Sequence, residues 1–284
     1  MRHYLTLDRN GTPPMTPRQF LGKELCRARV AAGFSSGQAL ADHLGFERTV
    51  IAKVESGERV PSDPVLTAWA QACNIDTEHY QRLADLARTS DGPVPAWFEY
   101  WLERERTTHM LRYWQPVIVT PIFQTAGYAR ALLLAAQTDT SDEAIDALVE
   151  AKLERATILD RAEPPDVVAL IDELVLHRLI GSPEIMHEQL IRVAELAERP
   201  YVCVQVVPTE IGATAGLSGD INLASGDGGP DVLHTDAVPE GHTTESRSLV
   251  RKAGVAFERT RGYAMPRAQS RDLILEVAND KWKQ

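Results

Sequence analysis

Arg48, Thr49, Ala52, Lys53 and Ser56 lie at the three- and four-residue intervals that bring side chains to one face of a helix. The chemistry such a face can perform is recognition. An arginine fork matches guanine O6 and N7, the methyl groups of Thr49 and Ala52 can meet a thymine methyl, and Lys53 can reach a phosphate or a base edge. Glu47, just ahead of them, can accept a hydrogen bond from a cytosine N4 amine or restrain Arg48. The same residues also compose an ordinary solvated helical face, so the elements around them have to decide.

In the stretch from Ser36 to Gly57 the apolar positions are Leu40, Leu44, Phe46, Ile51 and Val54. They divide into two short helices, Gly37–Leu44 and Glu47–Ser56, and leave the recognition set on the side of the second helix away from the core. Ser36 supplies an N-cap for the first helix. Ala41 stands where a second helix must cross closely. Gly45 follows the first helix, where a C-cap with positive φ costs a residue bearing a Cβ about 1 kcal/mol. These small residues specify a tight, sharply angled helix pair. Three more helices, Pro17–Ala31, Asp63–Ala72 and Thr77–Ala87, complete a mostly helical segment.

The chain has 284 residues and is 44% hydrophobic, enough for two cores. TSDGPVPAWF, from Thr89, breaks the helical pattern with Gly, Pro and Ser. The expected organisation is a flexible arm over 1–16, a helical domain over 17–88, a linker over 89–96 and a larger α+β domain with a small sheet over 97–284. In the larger domain WFEYWLERERTTHMLRYW spaces aromatic and charged residues as a helix does, and WQPVIVTPIFQT is an extended, proline-bounded apolar run. Amphipathic patterns follow at Gln124–Ala136 and Ser141–Ala162. From Pro164 strand signals in VVALI, YVCVQVVP, DINLASG and DVLHTDAV alternate with turns and with a helix ending at Pro200. Helices at Thr244–Arg261 and Arg267–Asn279 finish the chain.

A formal net charge of −10 opposes non-specific affinity for a polyanion, but the charge is uneven. Between Thr16 and Ser62 the cations Arg18, Lys23, Arg27, Arg29, Arg48, Lys53 and Arg59 outnumber Glu24, Asp42, Glu47, Glu55 and Glu58, and the acidity lies mainly after Pro93. No apolar run approaches a membrane span and the opening residues are polar, so a cytoplasmic protein without membrane contact is expected. Cys26, Cys73 and Cys203 are scattered and read as small buried hydrophobes.

The run LGKELCRARVAAGFSSGQALADHLGFERTVIAKVESGERVPS resembles the five-helix domain of phage-repressor-like (Xre, Cro/C1-type) helix-turn-helix regulators. By that resemblance Gly37–Leu44 is the supporting helix and Glu47–Ser56 the recognition helix, with Glu55 a structural partner for Arg27 or Arg29. The family usually places Gln second in the supporting helix to touch a phosphate; here Gly37 occupies that place and Gln38 follows it. The DNA-contacting set so implied is Arg48, Thr49, Ala52, Lys53, Ser56, Glu47, Gln38 and Ser36, with Arg59, Arg18 and Lys23 on phosphates. About six phosphate contacts would weaken binding roughly 10³-fold between 50 and 200 mM salt. The implied partner is double-stranded DNA, held by a homodimer on a palindromic site, with association with the nucleoid while bound.

The rest of the chain is similar to the DUF5753-type domain found behind such modules in actinobacterial regulators. The likeness rests on Pro121, Thr125, Tyr128 and Ala129; on Met186, Gln189 and Leu190; on Val204, Val206 and Pro208; and on Gly216, Leu217, Ser218 and Gly219. It implies an antitoxin-like or developmental control system in which this domain dimerises and accepts a small acidic protein encoded nearby, or an unidentified small molecule. It carries over no catalytic residue. GATAGLSGD lacks a phosphate-loop lysine, Ser218 has no Gly-x-Ser-x-Gly frame, and His177, His187, His234 and His242 are dispersed, so neither enzyme activity, cofactor nor metal is expected.

Overall fold

The computed structural model describes residues 16–89, 96–136, 141–226, 231–236 and 241–283. The expected arm as far as Met15 and the linker over 90–95 lie outside them. The chain divides into two units, the first ending at Tyr100 and the second beginning at Trp101.

The first unit is helical: α1 (Pro17–Ala31), α2 (Gly37–Leu44), α3 (Arg48–Glu55), α4 (Asp63–Cys73), α5 (Thr77–Thr89) and the start of α6 (Ala96–Thr107). The starts of α1 and α2 have a clear sequence reason. Thr16 and Gln19 form a reciprocal capping box with Pro17 at the first helical position, and the Ser36 Oγ accepts the Ala39 N–H at 3.2 Å. Leu21, Leu25, Leu40, Ile51, Val54, Leu66 and Trp69 meet in a core that excludes water almost completely. Glu47 and Ser56, expected as the ends of the second short helix, flank α3 as its caps.

The second unit is α+β. Its sheet has the order β3-β2-β1-β4-β5-β6, built from β1 (Met110–Gln115), β2 (Asp166–Asp172), β3 (Val202–Val207), β4 (Ile221–Ser225), β5 (Val232–Thr235) and β6 (His242–Thr244). β1, β2 and β3 run parallel, and β4 through β6 pair antiparallel. Around it lie α7 (Ala126–Ala136), α8 (Asp142–Ala156), α9 (Glu173–His177), α10 (Pro183–Leu196), α11 (Arg247–Arg261) and α12 (Arg267–Val277).

One sheet face is mainly apolar: Trp114, Val168, Leu170, Val207, Ile221, Leu223 and Leu233 pack against Phe257 of α11, with Arg112 and Gln205 on the same side. The opposite face changes character across the strands. On β2 and β3 it carries Val167, Ala169, Ile171, Val202, Val204 and Val206. In one cross-strand row through β1, β4, β5 and β6 it carries Tyr113, Asn222, His234 and Thr243.

Three expectations are corrected. The segment MLRYW, read as helical, is the central strand β1; it is covered on both faces, so no two-residue alternation marks it. The pattern over Ser141–Ala162 gives a helix only to Ala156, followed by a 3-10 turn over Thr157–Asp160. The helix expected over Thr244–Arg261 begins at Arg247, because Thr244 belongs to β6.

Candidate nucleic-acid interface

α2 and α3 form the angled pair the sequence called for. Gly45 caps α2 in the left-handed region, at φ 70° and ψ 27°, and its N–H returns to the Ala41 carbonyl. Ala41 is fully buried at the crossing.

α1 fixes the far end of α3 in two ways. Arg29 Nε donates to Glu55 Oε1 at 2.6 Å, Nη2 donates to Oε2 at 3.3 Å, and Nη1 donates to the Phe34 carbonyl at 2.7 Å. The Glu55 hydrogen bond holds the Arg29 guanidinium above its ordinary pKa, against the opposing effect of burial. Of the two candidates for the Glu55 partner, Arg29 takes the role, while Arg27 pairs with Glu24 on the same helix. Gly22 supplies the second contact, which sequence reasoning missed. A Cβ there would stand 2.4 Å from the Val54 carbonyl oxygen and 2.7 Å from that of Glu55, so only glycine lets α1 approach α3 this closely. Its one signal was a glycine inside a helix that otherwise needs none.

On this frame Arg48, Thr49, Ala52 and Lys53 are all exposed, and Ile51 and Val54 are buried opposite them. Among the described residues Arg48, Lys53, Arg59 and Lys23 make no ion pair, unlike the structural arginines Arg27, Arg29 and Arg88. Glu47 neither pairs with Arg48 nor stands open: its carboxylate accepts the Thr49 hydroxyl at 3.1 Å. Several other members of the expected set have local duties. The Ser36 hydroxyl caps α2, and the Ser56 hydroxyl donates to the Lys53 carbonyl at 3.2 Å. Gln38 donates to Asp42 at 2.6 Å, and Arg18 Nε donates to the Ala87 carbonyl at 3.3 Å. Gly37 abuts α3, where a Cβ would meet Ile51 Cγ2 at 3.2 Å.

The arrangement is a rigid two-helix element that presents an uncommitted cationic face. A helix-turn-helix domain model matches residues 21–83, which makes the chain a DNA-binding regulator by class. The model of a domain of unknown function, DUF5753, matches residues 98–276, more than half of the chain, and the chain belongs to that family. No curated protein matches it. Among the described residues no helix is long and apolar enough to cross a membrane, and no group of three or more His, Cys, Asp or Glu side chains is placed to hold a metal ion.

Proposed function

We propose that this protein is a sequence-specific transcriptional regulator, binding a palindromic operator as a homodimer, and that the DUF5753 domain controls that binding rather than catalysing a reaction. The observation that carries the reading is the division of labour among the cations. Arg29 is buried against Glu55 and holds α3, whereas Arg48 and Lys53 on α3 project to solvent without a partner among the described residues. Four such cations, Lys23, Arg48, Lys53 and Arg59, give a slope of log affinity on log salt of about −3.6 per domain if each meets a phosphate. Affinity then falls roughly 100-fold per domain between 50 and 200 mM salt. A dimer places two recognition helices about one helical turn apart, so half-site centres fall about 10 bp apart.

Selection of bound fragments from genomic DNA by the full chain, at two salt concentrations, tests this. A palindrome with that spacing and a steep salt slope is the expected result; recovery of fragments without a shared motif would refute it.

The outward face of α11 favours a second reading, the antitoxin-like half of a pair whose DNA binding is autoregulatory. In a chain of net charge −10, Arg247, Arg251, Lys252 and Arg259 are exposed on that helix around Val255, which is itself 45% exposed. A small acidic protein complements such a surface in charge and in its apolar centre. Co-purification with the product of an adjacent small acidic reading frame, lost on reversing Arg251 and Lys252 to Glu, distinguishes this reading.

A further inference from the structure

α11 is a cationic helix on an acidic unit. From Trp101 to Gln284, outside α11, Asp and Glu outnumber Lys and Arg by 27 to 14. α11 itself holds Arg247, Arg251, Lys252, Arg259 and Arg261 against Glu258 alone. Its inward face is fixed. Phe257 is fully buried in the sheet core, Val250, Ala253 and Ala256 pack against the same cluster, and the Thr260 hydroxyl donates to the Ala256 carbonyl at 2.9 Å. With about 3.6 residues per turn, Arg251, Lys252, Val255 and Arg259 then fall on the side away from the sheet, and all four are exposed, as is Arg247 at the start of the helix.

Neither the helix nor its surroundings account for these charges. The first turn of α11 holds no acid, and Arg247 there opposes the positive end of the helix dipole instead of complementing it. Elsewhere in the unit Arg130, Arg155, Arg199 and Arg271 each pair with a carboxylate. Arg247, Arg251, Lys252 and Arg259 make no ion pair or hydrogen bond among the described residues, although carboxylates abound. They share that state with Arg48 and Lys53 of α3. From Arg247 to Arg259 the helix rises about 18 Å. The same length of duplex axis carries about five phosphates on each strand. The large apolar side chains exposed on α11 are Val255 and Leu249, at 45% and 41%. A protein interface sheds charge at its centre, whereas a DNA interface is polar and strongly positive, so the balance on α11 favours a duplex over the acidic protein of the antitoxin-like reading.

We propose that α11 is a second DNA-contacting surface, its cations meeting the phosphate backbone without reading bases. This rests on the regulatory reading above and extends it to the DUF5753 domain: α3 supplies sequence preference, and α11 supplies affinity that does not depend on sequence. Four further phosphate contacts steepen the slope of log affinity on log salt by about 3.6 per chain, from about −3.6 to about −7.2.

The test is fluorescence anisotropy of the full chain on its selected operator and on a random-sequence duplex of the same length, from 50 to 200 mM salt. The unaltered chain is compared with the triple variant Arg251→Gln, Lys252→Gln, Arg259→Gln, with the charge-keeping pair Arg251→Lys, Arg259→Lys, and with a control that neutralises three exposed cations elsewhere in the unit, Arg106→Gln, Lys281→Gln, Lys283→Gln. Circular dichroism and thermal melting establish that each is folded. The triple variant is expected to keep the selected motif while its slope becomes shallower by about 2.7 per chain on both duplexes. The charge-keeping pair and the control are expected to stay within one contact, about 0.9, of the unaltered chain. An unchanged slope in the folded triple variant overturns the proposal, as does an equal loss in the control. So does an unchanged slope accompanied by loss of an acidic partner protein, or by altered sedimentation of the free chain, which would give α11 to that protein or to a second copy. Binding of the random duplex through α11 without any selected motif would refute the operator and leave this surface standing; a selected motif with an unchanged slope would do the reverse.

Discussion

Replacing Glu55 by glutamine removes the negative charge paired with Arg29 while keeping the shape of the side chain. The Arg29 side chain is 8% exposed and that of Glu55 17%, so the guanidinium would stay charged in a site that water barely reaches. Breaking a buried pair from one side costs about 3–5 kcal/mol. The partial exposure of Glu55 and the acceptor retained by glutamine reduce that to roughly 2–3 kcal/mol. For a domain of this size the loss corresponds to a fall of about 10–20 °C in the melting of the first unit. Because the two units need not unfold together, the assay is hydrogen exchange of the full chain, read on peptides from α1 and α3. Adding Arg29→Met removes the stranded charge, so the double variant is expected to recover about half of the loss. The reasoning is refuted if Glu55→Gln costs less than about 1 kcal/mol, or if the double variant is worse than the sum of the singles.

Four shorter predictions accompany it. Gly22→Ala drives a Cβ into the Val54 and Glu55 carbonyls and must displace α3, so operator affinity falls at least tenfold although no DNA contact is altered; electrophoretic mobility shift reads it. Gly254→Ala, in the middle of α11 where an added Cβ meets nothing within 4 Å, raises the melting temperature of the second unit by the equivalent of up to ~1 kcal/mol. Arg59→Ala keeps the selected motif and lowers the salt slope by about 0.9, whereas an unchanged slope would show that Arg59 meets no phosphate.

Lys152 gives the fourth, a pH dependence. Its folded-state pKa, about 8, lies below the ordinary 10.5, so the unfolded chain binds the extra proton between those values. Its contribution to stability is therefore fully present above about pH 10.5 and is lost as pH falls through 8. Burial lowers it, the charged groups that act on it are Arg155 and Asp236, and the comparison with Lys152→Met cancels the titrations that do not depend on the lysine charge. At pH 7 the methionine variant is expected to be the more stable by about 2–3 kcal/mol, with the gap closing towards pH 10. A lysine that stabilises the chain at pH 7 would show that the amine has a partner in solution.

The first unit was legible because its determinants are local. Thr16 with Gln19, Ser36, Ala41 and Gly45 each act within a few residues of their own position; α1 and α2 begin at the Thr16 and Ser36 caps, and α2 ends at Gly45. What the sequence hid there is tertiary: Gly22 matters only because α3 crosses it, and Glu55 could choose between Arg27 and Arg29 until the chain folded. In the second unit β1 was misread, since Leu111, Tyr113 and Trp114 are all buried and Arg112 lies between them, which leaves no face polar enough to show a period of two. The row of Tyr113, Asn222, His234 and Thr243 has one member per strand and is assembled by register alone. No spacing along the chain could have found it, and His234 looked like one of several dispersed histidines.

The central claim is that the exposed face of α3 reads sequence. Its most direct test compares the DNA motif selected by the unaltered chain with that selected by Arg48→Ala, both at one salt concentration. The account predicts that the variant keeps its fold and the half-site spacing but loses preference at one base pair of each half-site, with about 1–3 kcal/mol of discrimination gone there. An unchanged motif, or loss of all binding from a folded variant at low salt, would contradict it.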